Sequence, residues 1–151
     1  MAHAKSSWAP MPLRLILGFG FMYHGFPKLF TSDGHQMFAG MLANMGVPAP
    51  GPMSWLVGIV EFFGGLVLIL GILVRPAAGL LIINMLVAMF KVHLSQGFNF
   101  MHVTGMTDAG PTFGLPGYEV NLIYIAGLLS LLLSGGGALS HRKGREARGT
   151  S

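Results

Sequence analysis

Residues 55–74 read WLVGIVEFFGGLVLILGILV, twenty residues interrupted by a single charge, Glu61. At about 1.5 Å of rise per residue, such a helix spans about 30 Å, the thickness of a bilayer's hydrocarbon core. The run Leu66-Val67-Leu68-Ile69-Leu70 shows no apolar–polar alternation, which a strand of a membrane β-barrel would show. Helix is the reading for this stretch, and three others share its character: residues 13–30, 77–94 and 118–134. The sequence thus predicts an all-α polytopic membrane protein, a four-transmembrane-helix bundle over residues 13–140. A segment over 1–12 precedes it and a basic tail over 141–151 follows.

Composition points the same way. Of 151 residues, 52% are hydrophobic and 9% charged, and the mean hydropathy is +0.64. Soluble domains carry roughly a quarter charged residues, so too few are present to cover a water-facing surface. The absence of cysteine excludes disulfides, thiolate metal sites, Cys-ligated iron–sulfur clusters and covalently attached haem. No metal-ligand constellation stands out. The formal charge is +4, but Arg142, Lys143, Arg145 and Arg148 supply four of the nine basic residues from one tail. Behind a hydrophobic helix that is a topology signal near anionic lipid, not a nucleic-acid footprint.

The connections between the helices differ in size. A tight turn at Val74-Arg75-Pro76 joins the second and third. The first long connection holds Asp33 and Gln36 at capping-box spacing, then an apolar face of Met37, Phe38, Met41, Leu42 and Met45, and a stop at Gly46 and Pro48. It reads as a short amphipathic helix on the membrane or over the bundle mouth. The second, Gln96 to Gly117, holds Phe98, Phe100, Met101, His102 and Phe113, too apolar for a solvated linker, and is expected to fold back as a cap. Pro27 should kink the last turn of the first helix, which reads as a retained span because Arg14 and Lys28 interrupt it. Lys5, Arg14, Arg75 and the tail are basic, whereas the long connections carry Asp33 and Asp108 and no Lys or Arg of their own. Both termini are therefore expected in the cytoplasm and both long connections outside, in a bacterial cytoplasmic (inner) membrane.

Ionisable residues inside membrane helices mark candidate sites. Arg14 and Arg75 lie near the inner boundary, where snorkelling explains them. Glu61 stands about 12 Å along its helix, too deep to snorkel, and must be protonated or meet a cation. His24 and Lys28 share a face at i and i+4; Lys91 and His93 end the third helix, and Glu119 opens the fourth, with Asn121 and Tyr124 beyond. One group from each helix thus converges on the outer half. His24, Lys28, Glu61, His93, Glu119 and Tyr124 form the candidate cluster, with His24 and Glu61 the candidates for chemistry. Lys28, Lys91 and Glu119 fit simple interfacial marking as well, and a buried polar cluster can lock helix register without doing chemistry. The methionines read as packing and lipid contact.

Arg14, Gly18, His24-Gly25, Lys28-Leu29 and Gly46-Val47-Pro48-Ala49-Pro50 resemble the opening of DoxX-like membrane proteins. Glu61 with Gly64-Gly65, then Gly71, Arg75 and His93, continue the pattern, and Gly135-Gly136-Gly137-Ala138-Leu139-Ser140 resembles the family's tail. The resemblance covers Leu13 to Ser140 and implies four membrane helices. The family includes the membrane subunit of thiosulfate:quinone oxidoreductase, so the resemblance implies a quinone-linked redox or accessory subunit.

Two functions from different classes follow. In the first, the chain is mainly a scaffold that accompanies a respiratory or other redox membrane complex and is not catalytic alone. Its partners are then the lipid bilayer and other membrane subunits, with no nucleic acid. This reading is preferred because no electron carrier is encoded by motif. In the second, quinone binds in the outer half: His24 and Lys28 donate hydrogen bonds, Glu61 relays protons, and Phe62, Phe63 or Tyr124 stack. Haem on His24 and His93 is disfavoured, because bulky phenylalanines crowd short helices. Transport is weaker still, without clear inverted repeats.

Overall fold

A computed structural model describes residues 8–137; Lys5 and the basic tail lie outside the described residues. Helix α1 (Pro10–Phe30) leads through Thr31 into α2 (Ser32–Asn44), followed by α3 (Pro50–Leu70) and α4 (Val74–Ala88). A π turn (Met89–His93) and a 3₁₀ turn (Leu94–Gln96) prolong α4. A hairpin of β1 (Val103–Thr107) and β2 (Gly110–Phe113) precedes α5 (Glu119–Ser134). The chain is mostly helical as expected, but the hairpin is an element that the all-α reading lacked.

Local chemistry sets the helix ends. Pro10 and Pro50 open α1 and α3 at the first helical position, where a missing N–H costs nothing and the fixed φ is already helical. These two helices therefore start earlier than the apolar runs suggested. The α3–α4 turn is not Val74-Arg75-Pro76 but Gly71-Ile72-Leu73. Gly71 takes φ +73, and its N–H donates to the Leu68 carbonyl at 3.1 Å while Ile72 donates to Val67 at 3.2 Å. That closes α3 with a left-handed cap that glycine adopts without strain. Leu73 is also left-handed, at φ +46, which costs a residue with a Cβ about 1 kcal/mol. Pro76 then falls in the first turn of α4, where no N–H is needed.

The α2 cap also departs from expectation. Thr31, not Asp33, is the cap residue: its Oγ1 accepts from the Gly34 N–H at 3.1 Å. Leu42 is buried and Phe38, Met41 and Met45 half-buried, whereas Met37 is exposed. The apolar face is narrower than the sequence suggested.

Packing of α1 against α3 rests on glycine. A Cβ at Gly65 would lie 2.5 Å from the Gly18 carbonyl oxygen, and one at Gly25 2.6 Å from the Phe62 nitrogen. Gly18–Gly25 and Gly58–Gly65 each repeat at seven residues, two turns apart on one face, so the backbones meet at two levels of an antiparallel pair. Leu17, Phe21, Leu68, Ala78, Leu81, Leu128 and Leu131 fill the core among α1, α3, α4 and α5. Outward-facing surface is apolar as well, with Ile16, Phe19, Ile83, Phe90 and Leu133 all exposed.

By length and composition, two helices can cross a membrane: Pro50–Leu70 and Val74–Gln96. Only 28% and 17% of their most apolar stretches is buried inside the protein, so neither is the core helix of a water-soluble fold. Helix α1 equals α3 in length at 21 residues, and α5 is apolar but shorter.

Candidate functional site

Lys28 of α1 donates to Glu61 Oε2 of α3 in an ion pair whose side chains are 12% and 10% exposed. Asn84 of α4 donates through Nδ2 to Glu61 Oε1 at 3.0 Å. Both carboxylate oxygens are thus engaged, each from a different neighbouring helix. Above the pair, Lys28 Nζ lies 4.4 Å from the centroid of the Phe38 ring of α2, a cation–π contact that replaces lost hydration with the ring's negative face. Four helices meet at this one pair.

Glycine makes the approach possible. Gly25 and Gly58 each precede a charged partner, Lys28 and Glu61, by three residues and so lie one turn away on the same face. A Cβ at Gly58 would come within 3.0 Å of Lys28 Cβ, and one at Gly25 within 3.0 Å of Glu61 Cβ. A low-polarity setting penalises each charge separately, and the pair persists because its geometry and the added amide compensate the lost water.

A second polar contact pins α2 to α3 nearby. Ser54 Oγ, fully buried, sits 3.1 Å from His35 Nδ1 and also donates to the His35 carbonyl at 3.4 Å. The His35 ring lies against Trp55 at 4.6 Å between centroids.

At the opposite end of the bundle, two arginines cap helix C-termini. Arg14 is only 4% exposed. Its Nε donates to the Leu68 carbonyl at 2.9 Å, Nη2 to Ile69 at 3.0 Å and Nη1 to Gly136 at 2.8 Å. Arg75 Nη2 donates to the Leu133 carbonyl at 3.2 Å near the end of α5. Snorkelling, the expectation for Arg14, is therefore corrected. The guanidinium turns inward because carbonyls in the last turn of α3 keep acceptor capacity, Leu68 taking only the Gly71 N–H from the backbone, and carry the negative end of the helix dipole.

Of the six predicted cluster residues, only Lys28 and Glu61 come together. His24 is exposed and its ring packs edge-on against Tyr23 at 5.8 Å. His93 Nδ1 lies 2.7 Å from the Pro116 carbonyl, and Glu119 Oε2 accepts from the Phe100 N–H at 2.9 Å, so both tie down the connector before α5. Tyr124 stacks edge-on against Phe21 at 5.4 Å, and Lys91 is exposed. Convergence of one ionisable group from each helix is thus corrected to one cation, one carboxylate and an amide. Asn84 was missed although the signal was present: it is the sole polar side chain between Ala77 and Phe90, and an uncharged amide in such a run obeys the same rule as a charge. Asn121, 2% exposed, donates to the Met85 carbonyl at 3.5 Å, and its Oδ1 has no partner among the described residues.

Beside the ion pair, a groove of about 430 Å³ opens on the outer surface of α1 and α3, lined by Phe19, Met22, Tyr23, Phe26, Pro27 and Phe62. Phe62 stacks edge-on with Phe30 at 5.1 Å and Phe63 at 5.3 Å. Neither His24 nor Glu61 lines it.

A family model described as DoxX matches residues 9–94. An uncharacterised membrane protein of Mycobacterium tuberculosis is 30% identical over 156 residues, covering 100% of this chain and 90% of its own length. An uncharacterised protein of Haemophilus influenzae is 28% identical over 127 residues, covering 83% of this chain and 82% of its own. No solved structure matches the chain. Lys28, Glu61 and Asn84 all fall within the matched residues, which take in more than half of the sequence: the chain belongs to the DoxX family of membrane proteins.

Proposed function

We propose that this chain is a small integral membrane subunit accompanying a respiratory or other redox membrane complex, mainly as a scaffold and without catalysis of its own. Engagement of both Glu61 oxygens by neighbouring helices carries the reading. Lys28 and Asn84 occupy both of its oxygens, so the group ties helices together instead of offering an open polar site to a substrate. The redox setting rests on the DoxX resemblance, whose family includes a quinone-linked membrane subunit.

In this reading α1, α3, α4 and α5 all span a bacterial cytoplasmic membrane. Helix α1 supports this by its length and by packing along α3; α5, at 16 residues, reaches about 24 Å, a shortfall that local thinning and snorkelling accommodate. Both termini and the tail at 141–151 lie on the cytoplasmic side, and α2 covers the outer mouth with its apolar face inward. Haem on His24 and His93 stays outside the reading, because bulky phenylalanines crowd short helices.

The scaffold reading is tested on glycines that face outward. Gly64 and Gly127 meet Leu81 and Leu17 inside the bundle, whereas Gly79 on α4 has open space around it. Gly79→Leu should keep the subunit folded and release its partners from the purified complex, because a bulky side chain separates closely packed backbones. Retention of every partner by folded Gly79→Leu counts against docking through this face of α4.

The groove beside Phe62 favours a second reading, in which quinone enters from lipid and stacks on the ring. Quinone would then co-purify, and Phe62→Ala would lower quinone-dependent turnover of the assembled complex. Normal turnover in assembled variants would end that reading and leave the scaffold.

A further inference from the structure

The connector between α4 and α5 is built as an amphipathic hairpin, and its register shows how. Val103 pairs with Phe113, Gly105 with Thr112, Met106 with Pro111 and Thr107 with Gly110, with a bulge between Val103 and Gly105. Paired residues share a face and successive residues alternate. Val103, Met106, Pro111 and Phe113 therefore fall on one face, and Gly105, Thr107, Gly110 and Thr112 on the other. Without the bulge, Val103 and Met106 would point to opposite sides; the extra residue brings them into phase. The apolar face is uncovered: Val103 is 50%, Met106 77% and Phe113 56% exposed.

The hairpin is also firmly attached. Gly117 donates to Asn99 at 3.0 Å, Tyr118 to Gly97 at 3.0 Å, Glu119 to Phe98 at 3.0 Å and Gly114 to His102 at 2.9 Å. Its base is fixed at the ends of α4 and α5, so the apolar face cannot drift far from them.

We propose that this face is a membrane-interface anchor, seated in the headgroup–acyl boundary of the bilayer that holds the helices. Three observations select lipid as the occupant. Phe90 and Leu94, both exposed at this end of α4, lead directly along the chain to exposed Phe98 and Phe100, which continues the helix's outward apolar surface. Between Gln96 and Gly117 the only charged residue is Asp108, at the turn, leaving nothing to complement a charged partner. Four side chains also fall well short of the roughly 800 Å² per side that a specific protein interface needs, whereas insertion at the interface requires only an aromatic and a few aliphatic groups. The inference rests on membrane spanning by α4 and is independent of any redox partner. The hairpin lies beyond the residues matched by the family model.

Single tryptophans in the full-length protein test it, in a background carrying Trp8→Phe and Trp55→Phe and reconstituted in phosphatidylcholine vesicles. Met106→Trp should lose about half its emission to lipids brominated near the headgroup and be shielded from iodide, as expected of an interfacial ring. Thr107→Trp, one residue along on the polar face, should show the reverse. Ile83→Trp, exposed midway along α4, reports on spanning and should be quenched by bromine at the bilayer centre. If Ile83→Trp is quenched there while Met106→Trp is open to iodide, or shielded from both quenchers as in a dimer, the anchor is overturned and spanning survives. If Ile83→Trp is not quenched, spanning fails and the anchor with it. Equal behaviour of Met106→Trp and Thr107→Trp also overturns the proposal.

Discussion

Glu61 and Arg14 meet the same difficulty, a charge with little water around it, by different means. Glu61 finds a counter-charge and an amide, whereas Arg14 finds three carbonyl oxygens. Glu61→Ala leaves Lys28 buried without its partner and should cost roughly 3–5 kcal/mol, read as a fall in unfolding free energy in detergent micelles. Replacing both, with Lys28→Met and Glu61→Leu, should cost much less than the sum of the single changes, since no orphaned charge remains. Additive losses would show that the two side chains act independently. Arg14→Lys keeps the charge but not the planar fork that reaches Leu68, Ile69 and Gly136 together, and should cost about 1–3 kcal/mol. At this scale the sequence was legible where depth alone decides: Glu61 had to be protonated or meet a cation, and Lys28 was among the candidates. It misled for His24, because rotation about a helix axis, not depth, decides whether a side chain faces lipid or core.

Elements were legible in kind and less so in their limits. Apolar runs located α1, α3, α4 and α5, because each of these helices is apolar over most of its length. They did not locate the ends, since caps depend on backbone angles: the turn falls at Gly71-Ile72-Leu73, three residues earlier than Val74-Arg75-Pro76. The hairpin escaped because Gln96 to Gly117 reads only as an apolar connection folding back as a cap, and the bulge hides its period of two. Helix α2 is fastened at few points, namely the Thr31 cap, the His35–Ser54 contact, Phe38 over Lys28, and Leu42. Thr31→Ala should cost about 1 kcal/mol through the lost cap. Ser54→Ala should speed amide hydrogen exchange in α2 and leave α1 and α3 as protected as before. Loss of protection throughout the bundle would mean that α2 and the core unfold as one unit.

Across the whole molecule, the α1–α3 seam sets the arrangement, because backbones in glycine contact leave no room for adjustment. Gly65→Leu should cost about 3 kcal/mol or more and yield little folded protein, a larger effect than Gly79→Leu, whose surroundings are open. Comparable yields from the two variants would contradict the seam. The sequence could suggest close packing from abundant glycine, but not which pairs meet, since pairing depends on the relative height of two helices. One contact made across this distance also bears on biosynthesis. Arg14 and the Gly136 carbonyl are 122 residues apart, so the guanidinium of α1 awaits an acceptor made after α5. Until Gly136 has been synthesised, Arg14 lacks one of the acceptors that it holds in the folded protein. Stalled chains ending before Gly136 should therefore be extracted and degraded faster than chains stalled well beyond it, making the stretch just after α5 a checkpoint on whether α1 is allowed to stay.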